Sequence, residues 1–287
     1  MSDSTQAITR AAINAISADT PPRTREVMTS LITHLHDFAR DVNLTIPEWL
    51  AACDLLKRAG DMTDERRNEF ILVSDVLGLE SLVDALTNHA EGGATESAVL
   101  GPFFREDAPR IANGESIVRG GMAGETVFVE GYVTDAEGKP IEGAEIDVWE
   151  TSPNGLYEQQ DPDQPEMNLR GKLFSDANGY YAYKALKPVS YPIPFDGPAG
   201  DLLQLMGRHP YRPAHIHYIV RAPGCRTLVT QIFDRTDKYN ADDSVFAVKD
   251  SLLVDFTPAE AGADYDTKVR YDIQLAPAAD SAERKAA

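Results

Sequence analysis

Two histidines separated by a single residue, His215 and His217, lie in the run RPAHIHYIV. An extended chain alternates its side chains between faces, so both imidazoles leave the same side and their neutral nitrogens can converge on one metal ion. Taken alone, the pattern also fits two polar residues on a solvated strand, in which case the protein would be a binding module. Histidine is scarce, however: there are six in 287 residues, and three of them (His209, His215 and His217) fall within nine positions. Two imidazoles need further ligands, and their type selects the metal: thiolates suit zinc, carboxylates ferrous iron, and phenolates a hard, highly charged ion such as ferric iron. No Cys-x-x-Cys or His-Glu-x-x-His pattern occurs, while acids such as Asp147 and Glu150 are plentiful. Spacing by itself leaves the metal open.

The elements that must position these residues change character along the chain. Over residues 23–88 apolar side chains recur three and four apart, as in Val27, Leu31, Leu35 and Phe38, and Gly and Pro are sparse, which predicts helices. Pro47 after Thr45 suits a helix start, and EFILVSDVLGLESLVDAL reads as an apolar helical face broken near Gly78. After Gly124 the period becomes two, with Val127, Val129, Tyr132, Ile146 and Val148 in short runs between turn signals such as DAEGKP, DANG and APGC. The expected class is α+β, helices followed by an antiparallel β-sandwich. The last residues, small and polar, are expected to fray.

Bulk composition narrows the function. A net charge of -19 with no basic stripe argues against a nucleic-acid partner. The amino terminus lacks the pattern of a secretion signal, and no apolar run is long enough to span a bilayer. Cys53 and Cys225, far apart, offer no disulfide framework, so a reducing cytoplasm is the expected location. The acidic loop DPDQPE lacks the glycine and distal glutamate of an EF-hand and reads as a solvated loop.

The stretch VEGYVTDAEGKPIEGAEIDVWETSPNGLY, residues 129–157, resembles the signature of the intradiol ring-cleavage dioxygenases. It is followed by KPVSYPIPFDGP around Tyr191 and by GRHPYRPAHIH, in the order that family uses. The resemblance extends over most of the chain. It implies a helical linker and dimerisation domain over residues 1–100 and a catalytic β-sandwich over residues 101–287. It also implies a ferric ion held by Tyr157, Tyr191, His215 and His217. Such a set is coherent, because a phenol with a pKa near 10 binds as phenolate at neutral pH only beside a strong positive charge. The family further implies that Arg212 stabilises negative charge developing on the ring under attack and that Gln231 is an active-site residue. On a continuous strand Arg212 would face away from the histidines, unless Pro213 breaks the alternation.

The blocks ILVSDVLG, LGPFF and YPIPFDGP resemble the hydroxyquinol-cleaving branch of the family more than the catechol branch. Pocket positions carried over from that branch are Leu72, Asp75, Val99, Leu100, Gly101, Pro102, Phe103, Ile193, Pro194 and Arg212. A carboxylate at Asp75 would pair with a third ring hydroxyl, and a site built that way rejects rings that lack it. The resemblance thus implies cleavage of hydroxyquinol (1,2,4-trihydroxybenzene) by O2 to maleylacetate, with catechol cleavage to cis,cis-muconate as the alternative. It also implies that Tyr191 is the ligand that yields to substrate, and that the protein is a homodimer with a bound phospholipid.

Overall fold

A computed structural model describes residues 3–64, 67–88 and 92–278. The tail from 279 onward, where fraying is expected, lies outside them. By packing, the chain divides into two compact units, Met1–Arg58 and Ala59–Ala287.

In the first unit α1 (Asp3–Asn14) lies against α2 (Pro22–Asp41). Thr9 Oγ1 is 3.0 Å from His36 Nδ1 and accepts from Arg40 Nη1 at 2.9 Å. Pro22 at the first helical position needs no amide partner there and fixes the entry to α2. The third helix, α3 (Ile46–Met62), opens with reciprocal capping: the Thr45 amide donates to Glu48 Oε2 at 2.8 Å and the Glu48 amide to Thr45 Oγ1 at 3.5 Å. Val27, Leu31, Leu35 and Phe38, the stripe expected on α2, all remain exposed in the single chain.

In the second unit Asn68 caps α4 (Glu69–Val76) by accepting from the Ile71 amide at 3.1 Å. Gly78, at φ +75°, ends the run and α5 (Leu79–Thr87) follows, so the expected break falls where only glycine turns freely. The packing of α4 on α6 (Pro198–Leu205) is tied by buried Glu69, whose Oε1 accepts from the Ala199 amide at 3.0 Å. No described helix is long and apolar enough to cross a membrane.

The strands are β1 (Thr126–Thr134), β2 (Glu145–Trp149), β3 (Arg170–Phe174), β4 (Tyr180–Leu186), β5 (Tyr191–Pro192), β6 (Tyr211–Arg212), β7 (His215–Arg221), β8 (Leu228–Asp234), β9 (Leu253–Val254), β10 (Thr257–Pro258), β11 (Thr267–Arg270) and β12 (Ile273–Gln274). One sheet runs β10-β11-β1-β12 with β4 also on β1; the other runs β3-β2-β7-β8-β9; β5 and β6 form a two-stranded ribbon. The sheets are mixed and not purely antiparallel: β1 is parallel to β11 and β12, and β8 to β9. These neighbours are joined by long excursions and not by hairpins, which frees the returning strand to run either way.

Period-two burial explains what each face does. Val127, Val129 and Val133 from β1 pack with Ile146 and Val148 from β2, Ile216, Tyr218 and Val220 from β7, and Ile232 from β8 in one buried core. The intervening residues of the second sheet therefore point to its other face. There Trp149, Ile219, Tyr191 of β5 and the loop residues Phe103 and Tyr157 form a separate buried cluster. The histidines share that face.

Candidate active site

His215 and His217 lie on the outer face of β7, 2% exposed each. Register places His217 between Trp149 of β2 and Gln231 of β8, and His215 opposite Phe233. Trp149 stacks on His217 with centroids 4.7 Å apart and planes at 8°. Tyr157 arrives from β2 through a tight turn in which the Gly155 amide donates to Ser152 O at 2.8 Å and Gly155 takes φ +81°. Tyr191 lies on β5 opposite Arg212 of β6.

These four side chains, distant in sequence, bring their polar atoms to one point. Tyr157 Oη is 3.0 Å from His217 Nε2 and 3.1 Å from Tyr191 Oη. Tyr191 Oη is 3.3 Å from His215 Nε2, and the two imidazole Nε2 atoms are 3.1 Å apart. Donors about 2 Å from a shared ion stand roughly 2.8 Å apart at right angles and roughly 3.3 Å apart in a tetrahedron, so these separations fit a common metal. The tautomer fits too: His215 Nδ1 donates to the Pro213 carbonyl at 2.7 Å, which leaves a lone pair on Nε2.

Burial sets the charge states. Desolvation, followed by the nearby Arg212 charge for His215 and by His215 and then Arg212 for His217, pushes both imidazole pKa values well below the ordinary range, so both are neutral. Burial also pushes the Tyr157 phenol well above its usual range, with Tyr191 adding to it. Tyr191 is raised by burial as well, but there Arg212 pulls against the rise. The site is a neutral, desolvated set of four donors, and a highly charged cation there would convert its two phenols to phenolates.

Arg212 belongs to this site. Pro213 and Ala214 interrupt the extended run between β6 and β7, so the alternation that would turn Arg212 away is broken, and its Nη1 donates to His215 Nε2 at 3.0 Å. Gln231, fully buried, accepts from Arg212 Nη2 at 2.8 Å and donates through Nε2 to the Val99 carbonyl at 2.5 Å. The guanidinium is further held by buried Asp243, with Nε 3.2 Å from Oδ1 and Nη2 3.4 Å from Oδ2.

Beside the donors is a narrow cavity of about 20 Å³, lined by Leu72, Asp75, Val99, Gly101, Pro102, Phe103, Tyr191, Ile193, Pro194, Arg212, His217 and Val245. Of the ten expected pocket positions only Leu100 is not in this lining; it is 37% exposed. Leu72, Pro102, Phe103, Ile193 and Pro194 also line an outer chamber of about 450 Å³, which Arg67, Gln159 and Asp196 edge with polar groups. Asp75 is buried, its Oδ1 without a partner among the described residues, and burial together with Glu80 pushes its carboxyl up to about 9. The Asp75–Glu80 pair therefore favours holding a proton at neutral pH.

Three site residues were not foreseen. Trp149 could have been found from its alternation with Asp147 on β2. Asp243 carries no local signal, being one of 46 acidic residues and pairing with Arg212 across 31 positions. Val245 lines the cavity from a loop with no regular period. The carboxylates weighed for a zinc or ferrous site lie elsewhere. Asp147 pairs with Arg221 at 2.5 Å, and Glu150 accepts from the Leu186 amide at 3.3 Å. Among the described residues no group of three or more His, Cys, Asp or Glu could hold a metal.

The chain is similar to known proteins over most of its length. A family model described as Dioxygenase matches residues 99–277, and one described as Catechol dioxygenase N terminus matches residues 21–95. The chain is 47% identical to catechol 1,2-dioxygenase of Candida albicans, over 98% of this chain and 96% of that one. It is 46% identical to hydroxyquinol 1,2-dioxygenase of Nocardioides simplex, over 93% of each. The solved structure of hydroxyquinol 1,2-dioxygenase from Pseudomonas putida DLL-E4 superposes with a TM-score of 0.89 at 41% identity, covering 96% of this chain and 99% of that one. Two family models that together span most of the chain, and relatives matched nearly end to end, make the chain a member of the intradiol ring-cleavage dioxygenase family.

Proposed function

We propose that this enzyme cleaves hydroxyquinol with O2 between its two adjacent hydroxyl-bearing carbons to give maleylacetate, using Fe(III) held by Tyr157, Tyr191, His215 and His217. The observation that carries this reading is the meeting of two phenols and two neutral imidazoles, each with its polar atom 3.0–3.3 Å from those of two of the others. A ferric ion there would hold both phenols as phenolates and chelate the vicinal oxygens of the diol, making its ring electron-rich.

The protein's own groups divide the remaining work. Tyr191 lines the cavity and sits beside Arg212, whereas Tyr157 is not in the lining, so Tyr191 is the ligand placed to give way and take a substrate proton. Arg212 Nη1 now donates to His215 Nε2; were that lone pair held by a metal, this N–H would be free to meet negative charge on the ring under attack. Leu72, Phe103 and Ile193 exclude water, and the larger chamber supplies the approach. The buried Asp75 carboxyl, its Oδ1 without a partner among the described residues, is suited to exchange hydrogen bonds with a third ring hydroxyl.

Catechol cleavage is the second reading, supported by the Candida albicans relative. The exposed stripe of Val27, Leu31, Leu35 and Phe38 supports a homodimer built on the helical region, with a bound phospholipid as a further apolar cover. The test is a visible spectrum of the purified protein before and after anaerobic addition of hydroxyquinol, followed by steady-state rates with hydroxyquinol and catechol. A broad phenolate-to-iron band that shifts on addition, with faster turnover of hydroxyquinol, is expected. A colourless protein defeats the iron assignment, and faster turnover of catechol defeats the substrate assignment.

A further inference from the structure

Arg170 begins β3, directly opposite Trp149, and is 1% exposed. That register puts it on the same face of the sheet as Trp149, the face that carries the candidate site. Its guanidinium makes three hydrogen bonds: Nε to Glu158 Oε2 at 2.8 Å, Nη2 to Gln159 Oε1 at 3.2 Å, and Nη1 to the Phe103 carbonyl at 2.7 Å.

All three partners border Tyr157. Glu158 and Gln159 are the two residues that follow it. Phe103 stacks on the Tyr157 ring with centroids 4.5 Å apart and planes at 27°. The guanidinium carbon itself lies 5.8 Å from the centre of that ring. The second oxygen of Glu158 is taken by Arg105 at 2.8 Å, so the carboxylate has no freedom to swing, and the Tyr157 amide donates to Gln160 Oε1 at 3.1 Å. A rigid planar fork with three fixed partners resists rotation in a way that a single point charge does not.

A role in stability alone accounts poorly for this arrangement. Buried ion pairs are expensive to desolvate, and well-packed apolar side chains commonly replace them at no loss. An apolar residue at position 170 would fill the space but release the segment 158–159 and the Phe103 carbonyl together. The phenol that all three groups border is Tyr157.

We propose that Arg170 is a positioning residue for Tyr157: it clamps the segment that follows the tyrosine and the wall that stacks on it, so that Tyr157 Oη stays directed at His217 Nε2 and Tyr191 Oη. The inference rests on reading Tyr157 as a metal ligand. Groups that orient a ligand typically govern 10–100-fold in metal affinity when removed.

The test uses full-length protein, metal-free and then loaded with ferrous iron and oxidised in air, in the wild type and in Arg170→Lys, Tyr157→Phe and Tyr191→Phe variants. Iron retained against a competing chelator and the position of the phenolate-to-iron band are measured. Circular dichroism of the metal-free forms checks folding. Arg170→Lys is expected to retain iron about 10–100-fold less strongly than the wild type, with a shifted band. Added to Tyr157→Phe it should have little further effect, because the residue it serves is gone; added to Tyr191→Phe it should keep its full effect. Equal effects in both backgrounds, or wild-type iron retention in folded Arg170→Lys, overturn the inference while leaving the ligand reading intact. A wild-type protein without the band, or Tyr157→Phe indistinguishable from it, overturns the ligand reading and this inference with it. Should Arg170→Lys not fold, Glu158→Gln, which keeps the Phe103 contact, is put through the same comparison and judged by the same outcomes.

Discussion

Asp243 holds Arg212 with both carboxylate oxygens, 3.2 and 3.4 Å from Nε and Nη2 of the guanidinium. The same carboxylate accepts from the Val245 amide at 3.3 Å and the Ala247 amide at 3.0 Å, so it fixes the loop that lines the cavity as well as the cation that faces it. Arg212 Nη1 is left pointing at His215. One acid thereby sets the aim of the charge and the position of the wall.

Asp243→Ala is expected to cost about 3–5 kcal/mol of stability, since it leaves a buried guanidinium without its counter-charge. Turnover should fall roughly 100-fold, because a misplaced cation no longer meets the charge that develops on the ring. Thermal unfolding and steady-state kinetics measure the two effects; a variant with normal turnover would refute the positioning role.

Gln231→Leu removes the side chain that links Arg212 Nη2 to the Val99 carbonyl, leaving Nη2 with only its 3.4 Å contact to Asp243 and the buried Val99 carbonyl without its Gln231 donor. An orphaned buried group costs about 1–3 kcal/mol. The expected outcome is a lower melting temperature and a raised KM, read by calorimetry and by substrate titration.

Asp75 governs a pH effect whose sign is fixed by its environment. Its carboxyl holds a proton up to about pH 9 in the folded protein and loses it from about pH 3.8 when unfolded. Between those values the folded state binds more protons, so this group's contribution to stability falls as pH rises through that window. Asp75→Asn should flatten the decline, measured by denaturant unfolding across pH 5–9, and should lower the ratio of hydroxyquinol to catechol turnover. An unchanged ratio would remove Asp75 from substrate choice.

Gly131→Ala tests the sandwich. A methyl group at that position would stand 1.8 Å from the Tyr271 carbonyl oxygen, which is backbone and cannot swing away. The expected loss exceeds the roughly 1–3 kcal/mol of ordinary overpacking. An unfolding midpoint equal to the wild type would contradict the close approach.

Much of this protein is legible along the chain because local rules act locally. The three-and-four spacing before Gly78, the period of two after Gly124 and the shared face of His215 and His217 follow from backbone geometry that any sequence obeys. The ordered blocks around Tyr157, Tyr191 and His215 carried the family resemblance and with it the four donors. Tertiary structure alone decided the rest. Parallel pairing of β1 with β11 spans some 140 positions, and no periodicity encodes direction. Whether Arg212 joined the histidines depended on the break at Pro213 and Ala214, which only the path of the chain resolves. Asp243 and Arg170 look like ordinary charged residues in the sequence. They acquire their roles because folding removes them from water and leaves each with a few fixed partners, which are close in space and remote in the chain.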